Sequence, residues 1–146
     1  MSEETSVQLS IADEFLRAYP RGSRLLAVSS RDGERATAFA DTLVEALRVR
    51  EVAATAVTPN APDADTLRSE VVGPFRTARE DAVLVVAGDE SLLDSTRRGM
   101  WHFSVWLMAE GETPHTAATA LVDVRDRQHP SRTYADFCAV PDGYLS

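Results

Sequence analysis

Residues 25–47, LLAVSSRDGERATAFADTLVEAL, decide the fold. Leu25 to Ser29 is an apolar run with the length of a buried strand. A polar turn follows around Asp32-Gly33. From Glu34 onward Phe39, Leu43, Val44, Ala46 and Leu47 recur along one helical stripe. A strand feeding a turn feeding a helix is where many α/β proteins hold phosphate, because the helix start presents unpaired N–H groups and a positive dipole end. Here the turn places Asp32 and Glu34 at that start, so carboxylates already satisfy what a phosphate would use. Asp32 reads most simply as an N-cap.

The pattern continues on both sides. Residues 7–19 carry Leu9, Ile11, Phe15, Leu16 and Tyr19 near helical spacing, and Pro20 with Gly22 ends them. They form an amphipathic helix lying on the domain, so residues 1–22 read as a helical extension of one domain spanning 1–146. Strand one covers 24–29, helix one 34–49 and strand two 52–57. Asp63 or Asp65 caps a helix over 66–79 in which Pro74 predicts a kink or break. Strand three, 82–87 (AVLVVA), is a continuous apolar run suited to a sheet covered on both faces. A short helical piece over 91–98 leads to strand four, 103–108. A Thr- and Ala-rich helix over 113–124, a charged loop over 125–132 and a last strand over 135–140 complete the chain.

Alternating strands and helices imply an α/β three-layer sandwich around a mostly parallel five-stranded sheet. Ligands of such sheets sit beyond the carboxyl ends of the strands. Residues 29–35, 58–63, 88–90 and 125–132 therefore surround one crevice. Along strand four, Trp101, Phe103, Val105 and Leu107 alternate with His102, Ser104 and Trp106. Trp106 is then either covered by a helix or part of an exposed interface.

Composition narrows the chemistry. A net charge of −8 disfavours nucleic acid and anionic membranes as partners. All 15 basic residues are Arg. Without Lys there is no Schiff base, no lysine general base and no phosphate-loop lysine. The single cysteine, Cys138, excludes an internal disulfide and reads as a small residue buried in the last strand. His102, His115 and His129 have no metal-ligand spacing, and neither GxSxG nor GxGxxG occurs. The clusters Arg97-Arg98 and 125–132 read first as solvated surface, with phosphate or an acidic partner as the alternative. No apolar run approaches the ~18 residues of a membrane span, and the acidic start MSEETS is not a signal peptide, so a cytoplasmic protein is expected.

Extended to LLAVSSRDGERATAFADTLVEALRVREV, the opening stretch resembles the start of the uridine kinase-like P-loop kinases: an apolar strand, GxxGSGKT, then Phe-Ala-Asp and a Leu-rich helix. DAVLVVAGDESLL resembles that family's Walker B strand, TLRSEVVGPFR the helix before it, and RRGMWHFSVWLMAE the strand after it. The resemblance implies a P-loop NTPase-like fold across residues 24–107. The functional positions depart from the pattern. Ser30 stands at the first Gly, Arg35 at the last Gly and Ala36 at the Lys, and Ala87 replaces the Walker B acid. Asp32-Gly33 matches an ordinary turn within the motif, Thr37 keeps the magnesium-facing hydroxyl, and Asp89 lies just past Gly88. Only Asp63 is available to accept a proton from a nucleoside hydroxyl. Arg125, Arg127 and Arg132 are the remnants of an arginine-rich lid.

A triphosphate is held by successive backbone N–H groups that need close approach, and Arg35 would put a long side chain there. The expectation is a degenerate, shortened pseudokinase. It keeps the scaffold, uses no cofactor, and acts as a binding or regulatory domain for a protein partner or a small anionic ligand, with a homo-oligomer among the options. Two alternatives stay open. One is an atypical nucleoside or small-molecule kinase using ATP and Mg. It would have Arg35, Asp63 and Arg125 catalytic, Asp32, Gly33, Arg35, Ala36 and Thr37 around the nucleotide, and Thr37 and Asp89 on the metal. The other is an unrelated α/β protein-interaction domain. The direction of the N–H groups of residues 30–37 separates them: an empty nest favours nucleotide, a space filled by side chains does not.

Overall fold

Seven of the eight residues of β1 (Ser23–Ser30) are buried, as a strand covered on both faces requires. It lies in a computed structural model that describes residues 3–59, 63–78, 81–109, 112, 118–124 and 131–133. β1 runs parallel between β3 (Ala82–Gly88) and β4 (Phe103–Met108), pairing Leu26 with Val85 on one side and with Phe103 on the other. With β2 (Ala54–Val57), β5 (Ala120–Asp123) and β6 (Ser131–Thr133) the sheet order is β2-β3-β1-β4-β5-β6. The first five strands are parallel, and β6 adds an antiparallel edge.

Period-two alternation divides the core into two layers. Leu26, Val28, Val85, Phe103, Val105 and Val122 face α1 (Glu3–Ala18) and α2 (Gly33–Val49). Leu25, Ala27, Val86, Trp106 and Leu121 face the helical segment after β2 and the turns after β3. α2 presents Phe39, Leu43, Val44 and Leu47 to the sheet, as its stripe predicts. It stops without glycine. Glu51 takes φ 64°, while Val52 N–H reaches Leu47 O at 3.1 Å and Glu51 N–H reaches Arg48 O at 2.9 Å, which satisfies the last carbonyls. α1 lies on the domain as an amphipathic helix with Ile11, Ala12 and Phe15 fully buried.

Several elements differ from the sequence reading. The expected helix over 113–124 contains β5, because Ala120–Asp123 pairs with β4 and buries Ala120, Leu121 and Val122. Pairing and burial there override the helix propensity of Ala and Leu. The five parallel strands therefore include β5, and the expected strand over 135–140, with Cys138, lies outside the described residues. The helical piece over 91–98 is two short 3₁₀ turns, Glu90–Leu93 and Arg98–Met100. Between them Asp94 accepts from the backbone N–H groups of Thr96 and Arg97, both at 3.0 Å, a local bonding that competes with helix continuation. Trp101 precedes β4 and packs in the Trp106 layer rather than with Phe103.

Pro74 has the expected effect in a specific form. α3 (Ala64–Leu67) and α4 (Gly73–Ala78) are joined by a π turn over Arg68–Val72, in which Gly73 N–H bonds Arg68 O. The wider turn accommodates a proline that lacks an N–H and crowds the preceding carbonyls. A Cβ on residue 73 would lie 2.9 Å from Arg68 O, so glycine is needed for that approach.

Two polar anchors fix the lower end of β1. Arg24, 3% exposed, bonds Gly22 O at 2.9 Å, Tyr19 O at 2.8 Å and Asp81 Oδ1 at 3.0 Å. His102 exchanges two bonds with Leu25: its backbone N–H donates to Leu25 O at 2.9 Å, and its ring Nδ1 accepts from Leu25 N–H at 3.0 Å. Burial, with the charges of Arg76 and Arg24, lowers the His102 pKa below its ordinary 6.5. The unfolded chain thus binds this proton more readily than the folded one. The stability contributed is complete above pH ~6.5 and is lost as pH falls from there toward the folded value. Urea midpoints are expected to fall between about pH 7 and pH 5 in the native chain. The slope should flatten in His102→Asn, which keeps an acceptor for Leu25 but cannot titrate; equal slopes would refute the assignment.

At the other margin β2 is an open edge. Val83 N–H bonds Ala53 O at 2.9 Å, so the next carbonyl, that of Ala54, points away from the sheet. Arg48 Nη2 covers it at 3.0 Å.

Candidate functional site

At the carboxyl end of β1 only Arg31 and Asp32 separate the strand from α2. In a strand–GxxxxGK[ST]–helix arrangement the aligned residues 30–37 would form the phosphate loop. Here residues 33–37 are the first helical turn. Ser30 Oγ accepts from Asp32 N–H at 3.3 Å, and Asp32 Oδ1 accepts from Glu34 N–H at 3.0 Å. Ala36 N–H bonds Asp32 O at 3.2 Å. The cap anticipated from sequence is present, and the chain's own oxygens take these donors.

The side chains complete the filling. Ala36 is fully buried in the core. Thr37 Oγ1 donates to Gly33 O at 3.1 Å and lies 3.0 Å from Thr58 Oγ1. Arg35 turns back toward the sheet, where its Nη1 donates to Ser30 Oγ at 2.8 Å and to Glu112 Oε1 and Oε2 at 3.1 and 3.3 Å. Glu112 Oε1 also accepts from Ala109 N–H at 2.9 Å.

Beside this filled turn, beyond β1, β2 and β3, is a cleft of about 390 Å³ bordered by Arg31, Gly33, Thr58, Gly88, Asp89 and Arg97. Three of the four walls expected from sequence meet there, and most of the fourth, 125–132, lies outside the described residues. Asp89 caps the following 3₁₀ turn through Ser91 Oγ at 2.6 Å and Ser91 N–H at 3.0 Å, and these bonds hold its carboxyl below the usual range. Arg97 is held by Asp94, whose pKa is itself lowered first by its bond to Thr96. Arg31 is exposed, with no hydrogen-bond or ion-pair partner among the described residues.

No protein-family model and no curated protein sequence matches the chain. In structure it is similar to a possible uridine kinase from Bacillus stearothermophilus, with a TM-score of 0.56 over 73% of this chain and 80% of that one, at 12% identity. The fold is P-loop kinase-like. Identity this low establishes the architecture and leaves the chemistry to the residues.

Set in the P-loop kinase-like fold, the candidate catalytic set is dispersed. Asp63 caps α3 through Thr66 N–H at 2.8 Å, a bond that lowers its pKa, and it does not border the cleft. Arg35 is in its ion pair, and Arg125 lies outside the described residues. Of the candidate magnesium pair, Asp89 borders the cleft and Thr37 does not. Among the described residues no cluster of His, Cys, Asp and Glu is arranged to hold a metal. His102 serves sheet pairing, and His115 and His129 lie outside the described residues. Trp106 is 2% exposed, and Trp101 is buried with its Nε1 on Leu92 O at 2.7 Å. No helix among the described residues is long and apolar enough to cross a membrane.

The sequence placed Arg31 within the crevice wall 29–35 without giving it a role, and it missed Glu112 altogether. The signal for a role was its place between the strand end and a capped helix. Glu112, 77 positions from Arg35, carried none.

Proposed function

We propose that the chain is a non-catalytic, uridine kinase-like binding domain, taking a small anionic ligand in the cleft beside Arg31 and Arg97. One observation carries the reading: oxygens of the chain itself occupy the N–H groups of Asp32, Glu34 and Ala36 in the turn that would hold a triphosphate. Phosphoryl transfer depends on positioning and charge neutralisation, and Ala36 and Ala87 supply neither. A small ligand is favoured over a protein partner because the two tryptophans suited to an interface are buried. Arg31 supplies a guanidinium without a partner among the described residues, the group best shaped for a carboxylate or phosphate.

Thermal unfolding tests this. ATP with magnesium at millimolar concentration is expected to leave the melting temperature unchanged. A small phosphate ester or carboxylate that fits should raise stability by ~2.7 kcal/mol at ~100 times its dissociation constant, and Arg31→Ala should abolish the gain. A saturable shift with ATP and magnesium, or a phosphorylated product, would return the atypical kinase reading.

A further inference from the structure

The chain changes direction at one place in the sheet. After β1 it passes through α2 to β2 on one side, and after β4 it continues to β5 on the other, so the neighbours β1 and β4 flank a topological switch point. Ligands of open α/β sheets bind in the crevice outside the carboxyl ends of such a pair. In this chain the crevice holds an anion, the carboxylate of Glu112. Its donors come from two elements: Arg35 from the first turn of α2, which also donates to Ser30 Oγ at the end of β1, and Ala109 N–H just after β4. The pair is largely withdrawn from water, with the Arg35 side chain 25% exposed and that of Glu112 17%.

We propose that Arg35 and Ala109 N–H, with Ser30 orienting the guanidinium, form a site for one oxyanion, and that Glu112 is its built-in occupant, closing it to phosphate or carboxylate ligands. The geometry of Arg35 supports a receiving role beyond a plain ion pair. Its bonds to Ser30 and Glu112 all use Nη1, and among the described residues Nε and Nη2 have no hydrogen-bond partner. A fork with unused donors can take a second oxygen that a carboxylate held by one nitrogen does not fill. Glu112 thus acts as a tethered competitor. It excludes free anions through its high effective concentration while leaving Nε and Nη2 without a partner among the described residues. The site is separate from the cleft of Arg31 and Arg97, so it stands or falls independently of the ligand proposed there.

Inorganic phosphate is the probe. Glu112→Ala is expected to gain phosphate-dependent thermal stabilisation with an apparent affinity at least about tenfold tighter than the native chain, a difference of about 1.4 kcal/mol. The double variant Glu112→Ala with Arg35→Gln should return to the native response, which separates the site from the general stabilising action of phosphate. Glu112→Gln, which keeps an acceptor for Ala109, serves if the alanine variant does not fold. In the native chain, the Ala109 amide resonance should move with phosphate only at the high concentrations at which displacement begins. Equal phosphate responses in the native, single and double variants, or an Ala109 resonance indifferent to phosphate in Glu112→Ala, would overturn the proposal. Loss of the Arg31-dependent ligand response alone would leave it intact.

Discussion

Phe15→Ala is expected to lower the unfolding free energy by about 3–5 kcal/mol, against a total of roughly 5–15 kcal/mol for a domain of this kind. Phe15 is fully buried, stands edge-on to Phe103 with ring centroids 5.8 Å apart, and contacts Tyr19 at 5.7 Å. Ile11 and Ala12 beside it are also fully buried, so the space left by the ring is enclosed and can collapse only partly. The loss therefore includes the transfer term and a cavity term. The melting temperature should fall on the order of 10 °C. Urea unfolding checks this, with a single transition expected if α1 and the sheet unfold together. A loss below about 1 kcal/mol, or a separate early transition, would mark α1 as an appendage.

The second large effect is expected at Arg24. Arg24→Ala should cost about 2–4 kcal/mol, while Asp81→Asn should cost less than about 1 kcal/mol, although the two side chains form one ion pair. The asymmetry follows from burial. Arg24 is 3% exposed at its side chain and Asp81 is 69% exposed. Removing Arg24 strips Tyr19 O of its donor and opens a gap where the aliphatic stem packs, while water takes over the abandoned carboxylate. Gly22 O keeps a second donor, Ala82 N–H at 3.2 Å, which limits the loss. In Asp81→Asn an amide oxygen remains for Gly22 N–H and for the guanidinium. A full buried-pair penalty of ~3–5 kcal/mol at both positions would show that Asp81 is far less hydrated than its exposure indicates.

How much of this was legible in the sequence depends on how local the deciding forces are. β1 and β3 were evident because continuous apolar runs suit strands covered on both faces, β4 from its alternation, and α2 because its stripe begins at a residue able to cap it. The cleft was legible in outline, since strand ends gather loops wherever the sheet is parallel. β5 was not, because its four residues have no periodicity to separate strand from helix, and its pairing with β4 decides. The Asp94 turn was hidden for a related reason: an aspartate within a helical pattern is compatible with either outcome until its oxygens find Thr96 and Arg97. The Arg35–Glu112 pair joins residues 77 apart, and no spacing rule reaches that far. The identity of the site residues was thus easier to read than their occupation. Asp32 was visible as a cap, whereas Arg35 as the partner of a distant acid was not.

The guanidinium of Arg48 over Ala54 O bears on how copies of this chain behave when crowded. A sheet margin with free hydrogen-bonding groups templates growth into ribbons and, eventually, fibres. Here a newcomer laying itself alongside β2 would find only four residues to zip onto, and it would first have to evict a cation from the leading carbonyl. That single side chain therefore protects against runaway self-templating as well as helping to tie α2 to the sheet.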